Sequence, residues 1–173
     1  MRVRDASADD VPSITAIYNE LISSRTVTWT DHEDSVDDRA RWLARRQAAG
    51  FPVLVAVDAT AGTAVLGFAS YGEFRDNQRW PGYRFTVELS IHVDEAHWGG
   101  GVGRALMTEL LARARRAGVH VVVAAVDGEN TESIAFHERM GFATVGRLAE
   151  TGFKFGRWLD LVFMQIVLDE QSR

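Results

Sequence analysis

Glu88 stands at the middle of Phe85 to Val93, a stretch whose apolar and polar residues alternate with period two. Phe85, Val87, Leu89, Ile91 and Val93 fall on one face, and Thr86, Glu88, Ser90 and His92 on the other. Read alone, this is an antiparallel strand with one wet face. Directly after it come Asp94-Glu95-Ala96-His97-Trp98 and then Gly99-Gly100-Gly101-Val102-Gly103, at the head of a periodic helix. Strand, glycine run and helix N-terminus together make an anion cradle, because glycines let backbone N–H groups approach phosphate oxygens and the helix dipole adds favourable charge. Spacing narrows the anion. A P-loop needs Gly-Lys-Ser/Thr, which is absent, and the dinucleotide pattern G-x-G-x-x-G fails at Arg104 or Leu106. His32, His92, His97 and His120 have no metal-like spacing with acids, so no metal site is expected.

The elements that must hold these residues come from a chain of 173 residues, which at ~150 residues per domain is one domain, placed at 1–168 with a short C-terminal tail over 169–173. Its 19 Lys and Arg against 24 Asp and Glu leave a formal net charge of −5, which argues against non-specific attraction to nucleic acid or anionic lipid. There is no cysteine, which removes disulfides, thiolate zinc sites and a cysteine nucleophile together. No apolar run approaches the ~18 residues that span a bilayer, so a soluble, unexported, cytoplasmic protein is expected.

Along the chain, an early strand leads to a helix announced by Ser7, Asp9, Asp10 and Pro12, with Val11, Ile14, Ile17 and Leu21 on one face. Helical pattern stops at 23–30, a polar loop carrying Trp29. A second helix spans Ser35 to Ala48, with Ser35 and Asp38 at capping-box spacing, Gly50 as its stop, and Arg41, Arg45 and Arg46 on a solvated face. Val53 to Val57 and Val65 to Tyr71 read as a hairpin around a turn over Asp58 to Thr63 with Gly62. The helix after the glycine run places Leu106, Leu110 and Ala114 on one face and ends at Gly118. Val119 to Val126 reads as a buried parallel strand by its near-continuous apolar character. A turn Asp127 to Asn130, a short helix Thr131 to Met140, and strands near Phe142 to Arg147 and Trp158 to Leu168 complete a mixed α/β chain of order β α α β β β α β α β β.

This order, with a glycine loop between the fourth strand and third helix, resembles the GNAT superfamily of N-acetyltransferases over essentially the whole chain. The superfamily's pyrophosphate loop, (Gln/Arg)-x-x-Gly-x-(Gly/Ala), is matched by Gly101 and Gly103, with Trp98 where Gln or Arg is expected and Gly100 in a place often held by Arg or Lys. Those departures leave backbone amides to hold the phosphates. A narrower resemblance, to the phosphinothricin and methionine sulfoximine N-acetyltransferases, is carried by Gly67 to Gly72, Arg75, Gly82-Tyr83-Arg84, Thr86-Val87-Glu88 and Lys154 to Asp160. Here His92 replaces the family's usual Tyr, and the loop between Arg75 and Glu88 is longer, through Asn77 to Pro81.

The resemblance implies a GNAT fold with a single mixed sheet flanked by helices, acetyl-CoA as cofactor, a small-molecule amine substrate and a homodimer. Glu88 is then a general base for the amine, the alternative being a solvated strand residue. Backbone N–H groups near Leu89 and Ser90 would face the thioester oxygen, and Ser90, Ile91, His92 and Val93 would pair with the pantetheine arm. Trp98, Gly99, Gly100, Gly101, Val102, Gly103 and Arg104 would surround the diphosphate, with Asn130 and Ser133 also on the cofactor. His137 is either a general acid for the departing thiolate or a packing residue. Arg75 would read an amino-acid carboxylate bidentately, or form a surface ion pair. Thr28, Trp29, Tyr83, Phe85 and Thr86 would wall the acceptor pocket, and Lys154 would meet an anionic substrate tail or anchor a loop at a subunit interface. A protein or peptide amine, or a non-catalytic acyl-CoA-binding regulator, are the other readings.

Overall fold

The computed structural model describes residues 1–58 and 64–168, so the turn around Gly62 and the tail 169–173 lie outside the described residues. The chain runs β1 (Arg2–Asp5), α1 (Val11–Ser24), α2 (Val36–Ala48), β2 (Val53–Val57), β3 (Val65–Glu73), β4 (Thr86–Val93), α3 (Val102–Arg116), β5 (Val121–Asp127), α4 (Thr131–Arg139), β6 (Ala143–Lys154) and β7 (Arg157–Val167). This is the element order read from the sequence. The strands form one mixed sheet of order β1-β2-β3-β4-β5-β7-β6. β4 pairs parallel with β5, whereas β1–β2, β2–β3, β5–β7 and β6–β7 are antiparallel. The plain antiparallel reading of 85–93 is corrected on its β5 side, and the parallel expectation for the strand after Gly118 holds.

Two compact units divide the chain, one of 1–20, 33–72 and 90–113, the other of 21–32, 73–89 and 114–173. In the first, the Asp10 carboxylate accepts the Ser7 N–H at 2.7 Å and is gripped by the two terminal Arg4 guanidinium nitrogens at 2.7 Å, which sets the chain into α1. Burial would raise the Asp10 pKa, but the bonds from Arg4 and Ser7 outweigh it and hold the group below its ordinary value. α1 then buries Val11, Ile14 and Ile17 in a core with Leu43 of α2, Val53, Val55 and Val57 of β2, and Phe68 of β3. Ser35 and Asp38 form the expected capping box at the start of α2. Arg41 and Arg45 are exposed as expected, but Arg46 is half-buried. Leu106 and Leu110 of α3 are fully buried, each contributing ~1.5–3 kcal/mol of apolar transfer.

In the second unit, β5 buries Val122, Val123, Ala124 and Val126. The β6–β7 hairpin turns through Phe155 and Gly156, both at positive φ (51° and 74°), between the paired Lys154 and Arg157. Two positive-φ residues match the twist of the flanking strands. β6 continues to Lys154, past the expected end near Arg147. Its residues are mostly exposed and its register shifts at Thr144/Gly146 and Leu148/Gly152, so no clean alternation marks it. Phe85 also departs from expectation: it precedes the strand and is half exposed, under the Arg84 guanidinium at 4.4 Å.

Candidate active site

Within the first unit, the last turn before α3 is an open cradle. Gly99 and Gly101 have φ of 73° and 81°, and no atom lies within 4 Å of the position a Cβ would take at either. The first intrahelical bond of α3 runs from the Ala105 N–H to the Gly101 carbonyl at 3.0 Å, so the amides of Val102, Gly103 and Arg104 belong to the turn whose donors have no helical acceptor. These are the features a phosphate needs. Trp98 offers the cradle no side-chain N–H, because its indole nitrogen donates to the Val93 carbonyl at 2.8 Å. That bond also occupies the last carbonyl of β4.

His92 is turned into protein rather than presented as a polar donor. Its ring packs 5.6 Å from Tyr18 and 5.0 Å from Phe68, and its Nδ1 is buried with no hydrogen-bond partner among the described residues. Arg39, 5% exposed, stacks on Tyr18 at 3.8 Å and pairs with Asp34. Burial, and then the Arg39 charge, push the His92 pKa down to about 4. An unfolded histidine titrates near ~6.5, so between these values the unfolded chain binds a proton that the folded chain does not. This contribution is whole above the unfolded value and is lost as pH falls toward 4, by up to ~3 kcal/mol. His92→Phe keeps the ring contacts and removes the proton. Urea unfolding at pH 7, 5.5 and 4 should therefore show a smaller acid loss in the variant than in the wild type; equal losses would assign the slope to other groups.

The second unit holds the remaining candidates. Glu88 is half-buried on β4 and stands opposite Val123, the last registered pair of the β4–β5 ladder. Arg75 is exposed, its guanidinium 5.2 Å from the Phe74 ring, and it makes no ion pair among the described residues. Phe74 in turn meets Tyr83 edge-on at 5.8 Å. Thr86 is half-buried at the start of β4.

α4 begins with Asn130, whose Oδ1 accepts the Ser133 N–H at 3.0 Å as a helix cap. Ser133 orients the next residue of interest. His137 is 3% exposed, between Phe136 and Phe142, with Nδ1 2.8 Å from the Ser133 carbonyl. A carbonyl only accepts, so Nδ1 carries the hydrogen and Nε2 presents a lone pair. Nε2 is buried without a hydrogen-bond partner among the described residues. Burial lowers the pKa of His137 against the opposing effect of the Ser133 bond, which favours the neutral ring with its lone pair at Nε2.

Lys154 is not available to a substrate tail, which sets aside the first of its two expected roles. Its Nζ donates to the carbonyls of Ile22, Arg25 and Thr28 at 2.7, 2.9 and 2.7 Å, and the residue is 2% exposed. The segment it grips carries Trp29, whose indole N–H bonds the Thr26 carbonyl at 2.9 Å and whose ring covers Gly152. Thr26 also donates to the Asp127 carboxylate. Thr26, Asp127 and Gly152 were not legible as site residues, since nothing local marks contacts between residues so distant in sequence. No group of three or more metal-ligating side chains occurs among the described residues, and no described helix is long and apolar enough to cross a membrane.

Comparison with known proteins agrees with this geometry. Residues 14–142 match the acetyltransferase (GNAT) family. An L-methionine sulfoximine/L-methionine sulfone acetyltransferase of Pseudomonas aeruginosa is 44% identical over 96% of this chain and 94% of its own length. One of the same description from Salmonella typhimurium is 41% identical over 99% and 97%. The crystal structure of a GNAT superfamily phosphinothricin acetyltransferase from Sinorhizobium meliloti in complex with AcCoA superposes with a TM-score of 0.91 at 38% identity, covering 98% of this chain and 89% of that one. With the family match over most of the chain and near-complete coverage at this identity, the chain belongs to the GNAT family of acetyltransferases.

Proposed function

We propose that this enzyme moves the acetyl group of acetyl-CoA to the amino group of a small amino-acid-like acceptor of the phosphinothricin, methionine sulfoximine or methionine sulfone type. Near-full-length identity to the two methionine sulfoximine/sulfone acetyltransferases carries the acceptor class, and the open turn at Gly99–Gly101 supports the cofactor. Bound acetyl-CoA supplies an acetyl thioester. The amides of Gly101 to Arg104 hold its diphosphate, and Ser90 to Val93 run along its pantetheine arm as an added strand would. Glu88 takes the proton from the acceptor ammonium, directly or through one water, leaving the nitrogen lone pair free to attack. The amides of Leu89 and Ser90, just beyond the last β4–β5 pair, receive the charge that develops on the thioester oxygen. His137, with its hydrogen on Nδ1, acts as an oriented acceptor and packing surface. Coenzyme A would leave as a thiolate of pKa near ~8.5, without a strong acid, and would take up the second proton that the nitrogen sheds on becoming an amide.

On the acceptor side, Arg75 binds the α-carboxylate, with Thr28, Trp29, Tyr83, Phe85 and Thr86 around it. Coenzyme A release measured over amino acids, sulfoximines, sulfones and short peptides tests the acceptor class; turnover confined to peptides would overturn it. Arg75→Ala should raise the KM for a carboxylated acceptor roughly ten- to hundredfold, the ~1.5–3 kcal/mol of a charge-assisted contact, while acetyl-CoA affinity holds. If the methyl ester of the acceptor suffers equally, Arg75 does not read the carboxylate.

A further inference from the structure

Lys154 presents an unusual arrangement: a charged side chain at 2% exposure with no carboxylate in hydrogen-bond contact among the described residues, whose three N–H donors all end on backbone carbonyls. One carbonyl, of Ile22, belongs to the last turn of α1, where carbonyls lack intrahelical partners and carry the negative end of the helix dipole. The other two, of Arg25 and Thr28, belong to the non-helical segment that follows. An ammonium suits this task because its three donors diverge from one point; a planar guanidinium cannot converge on three carbonyls in the same volume. β6 makes a second contact with that segment two residues earlier. A Cβ at Gly152 would lie 2.2 Å from a Trp29 ring carbon, so only glycine leaves room for the indole. The bond from Thr26 to Asp127 fixes the segment from the end of β5.

We propose that Lys154 is a positioning residue for the acceptor site: by gathering the carbonyls of Ile22, Arg25 and Thr28 onto one ammonium it sets the backbone from which Thr28 and Trp29 wall the pocket. This rests on the reading of Thr28 and Trp29 as acceptor wall. The selectivity of the enzyme is then set partly from the β6–β7 hairpin, by a side chain that never meets the substrate. Lys154→Met fills a similar volume and removes the ammonium from the three carbonyls, loosening the segment.

The test uses the full-length enzyme with two independent readouts. Amide hydrogen exchange over residues 22–30 should accelerate roughly tenfold or more in Lys154→Met, with or without any acceptor present. The acceptor KM should rise roughly tenfold or more, by the same factor for a free amino acid and for its amide, while the KM for acetyl-CoA stays within about twofold. Lys154→Arg should not restore the acceptor KM. A rise confined to carboxylated acceptors would make Lys154 a substrate contact, and faster exchange with an unchanged acceptor KM would make it purely structural; either overturns the proposal, as does unchanged exchange. If Lys154→Met does not fold, Gly152→Ala displaces Trp29 from the same side and must reproduce the selective rise in acceptor KM. A wild type that acetylates no amino-acid-like acceptor refutes the proposed function instead, and the exchange readout still decides whether the lysine orders the segment.

Discussion

Glu88→Gln is expected to bind acetyl-CoA as the wild type does and to transfer the acetyl group ~10²- to 10⁴-fold more slowly. Glutamine keeps the size of the side chain and one acceptor oxygen, so the strand and its Glu88–Val123 pair need not move. What it cannot do is carry a proton away. The acceptor nitrogen enters as an ammonium, with no lone pair to attack a carbonyl, and the cost of neutralising it falls on solvent in the variant. Two dependences follow. The wild-type rate should climb with pH, and the deficit of the variant should shrink at high pH or with acceptor amines of lower intrinsic pKa, provided that chemistry rather than product release limits turnover. Calorimetry for the cofactor and rapid-quench single turnovers for the transfer separate binding from catalysis. A near-normal single-turnover rate at neutral pH would remove Glu88 as base and leave the strand amides and positioning to account for the rate.

The features legible in the sequence are those whose cause is local. Ser35 and Asp38 announce α2 three residues apart, and the structure closes that box; Gly99 and Gly101, just before α3, leave open space where side chains would stand. Val11, Ile14, Ile17, Leu106 and Leu110 followed from helical period alone, and all are buried. Illegible features depend on tertiary neighbours. Lys154 bonds carbonyls more than a hundred residues away, so the sequence leaves it between a substrate tail and a loop anchor until the partners are known. Arg46, expected on a solvated helix face, is half-buried, and His92, read as a cofactor neighbour, is half-buried against Tyr18 and Phe68. β6 extends beyond its legible part because its exposed residues and shifted register erase the period-two signal by which strands are read.

Gly103→Val and Gly101→Val should each weaken acetyl-CoA binding roughly 10²-fold or more, since a branched side chain at the cradle separates a phosphate from at least two amide donors worth ~1.5–3 kcal/mol each. The two variants should differ in stability, and that difference makes the experiment decisive. Gly101 has a φ of 81°, a conformation that strains any L residue by ~1–2 kcal/mol even though no atom lies near its Cβ position. Lost binding there admits a distorted loop as its cause. Gly103 lies inside α3, where valine is the better helix former by a few tenths of a kcal/mol, roughly. Gly103→Val should therefore hold or slightly raise the urea midpoint while calorimetry shows the cofactor lost, opposite signs that general destabilisation cannot produce. Unchanged affinity in both folded variants would take the diphosphate off these amides. It would leave the exposed Arg104 guanidinium as the remaining phosphate ligand of the turn, for which Arg104→Ala is the direct check.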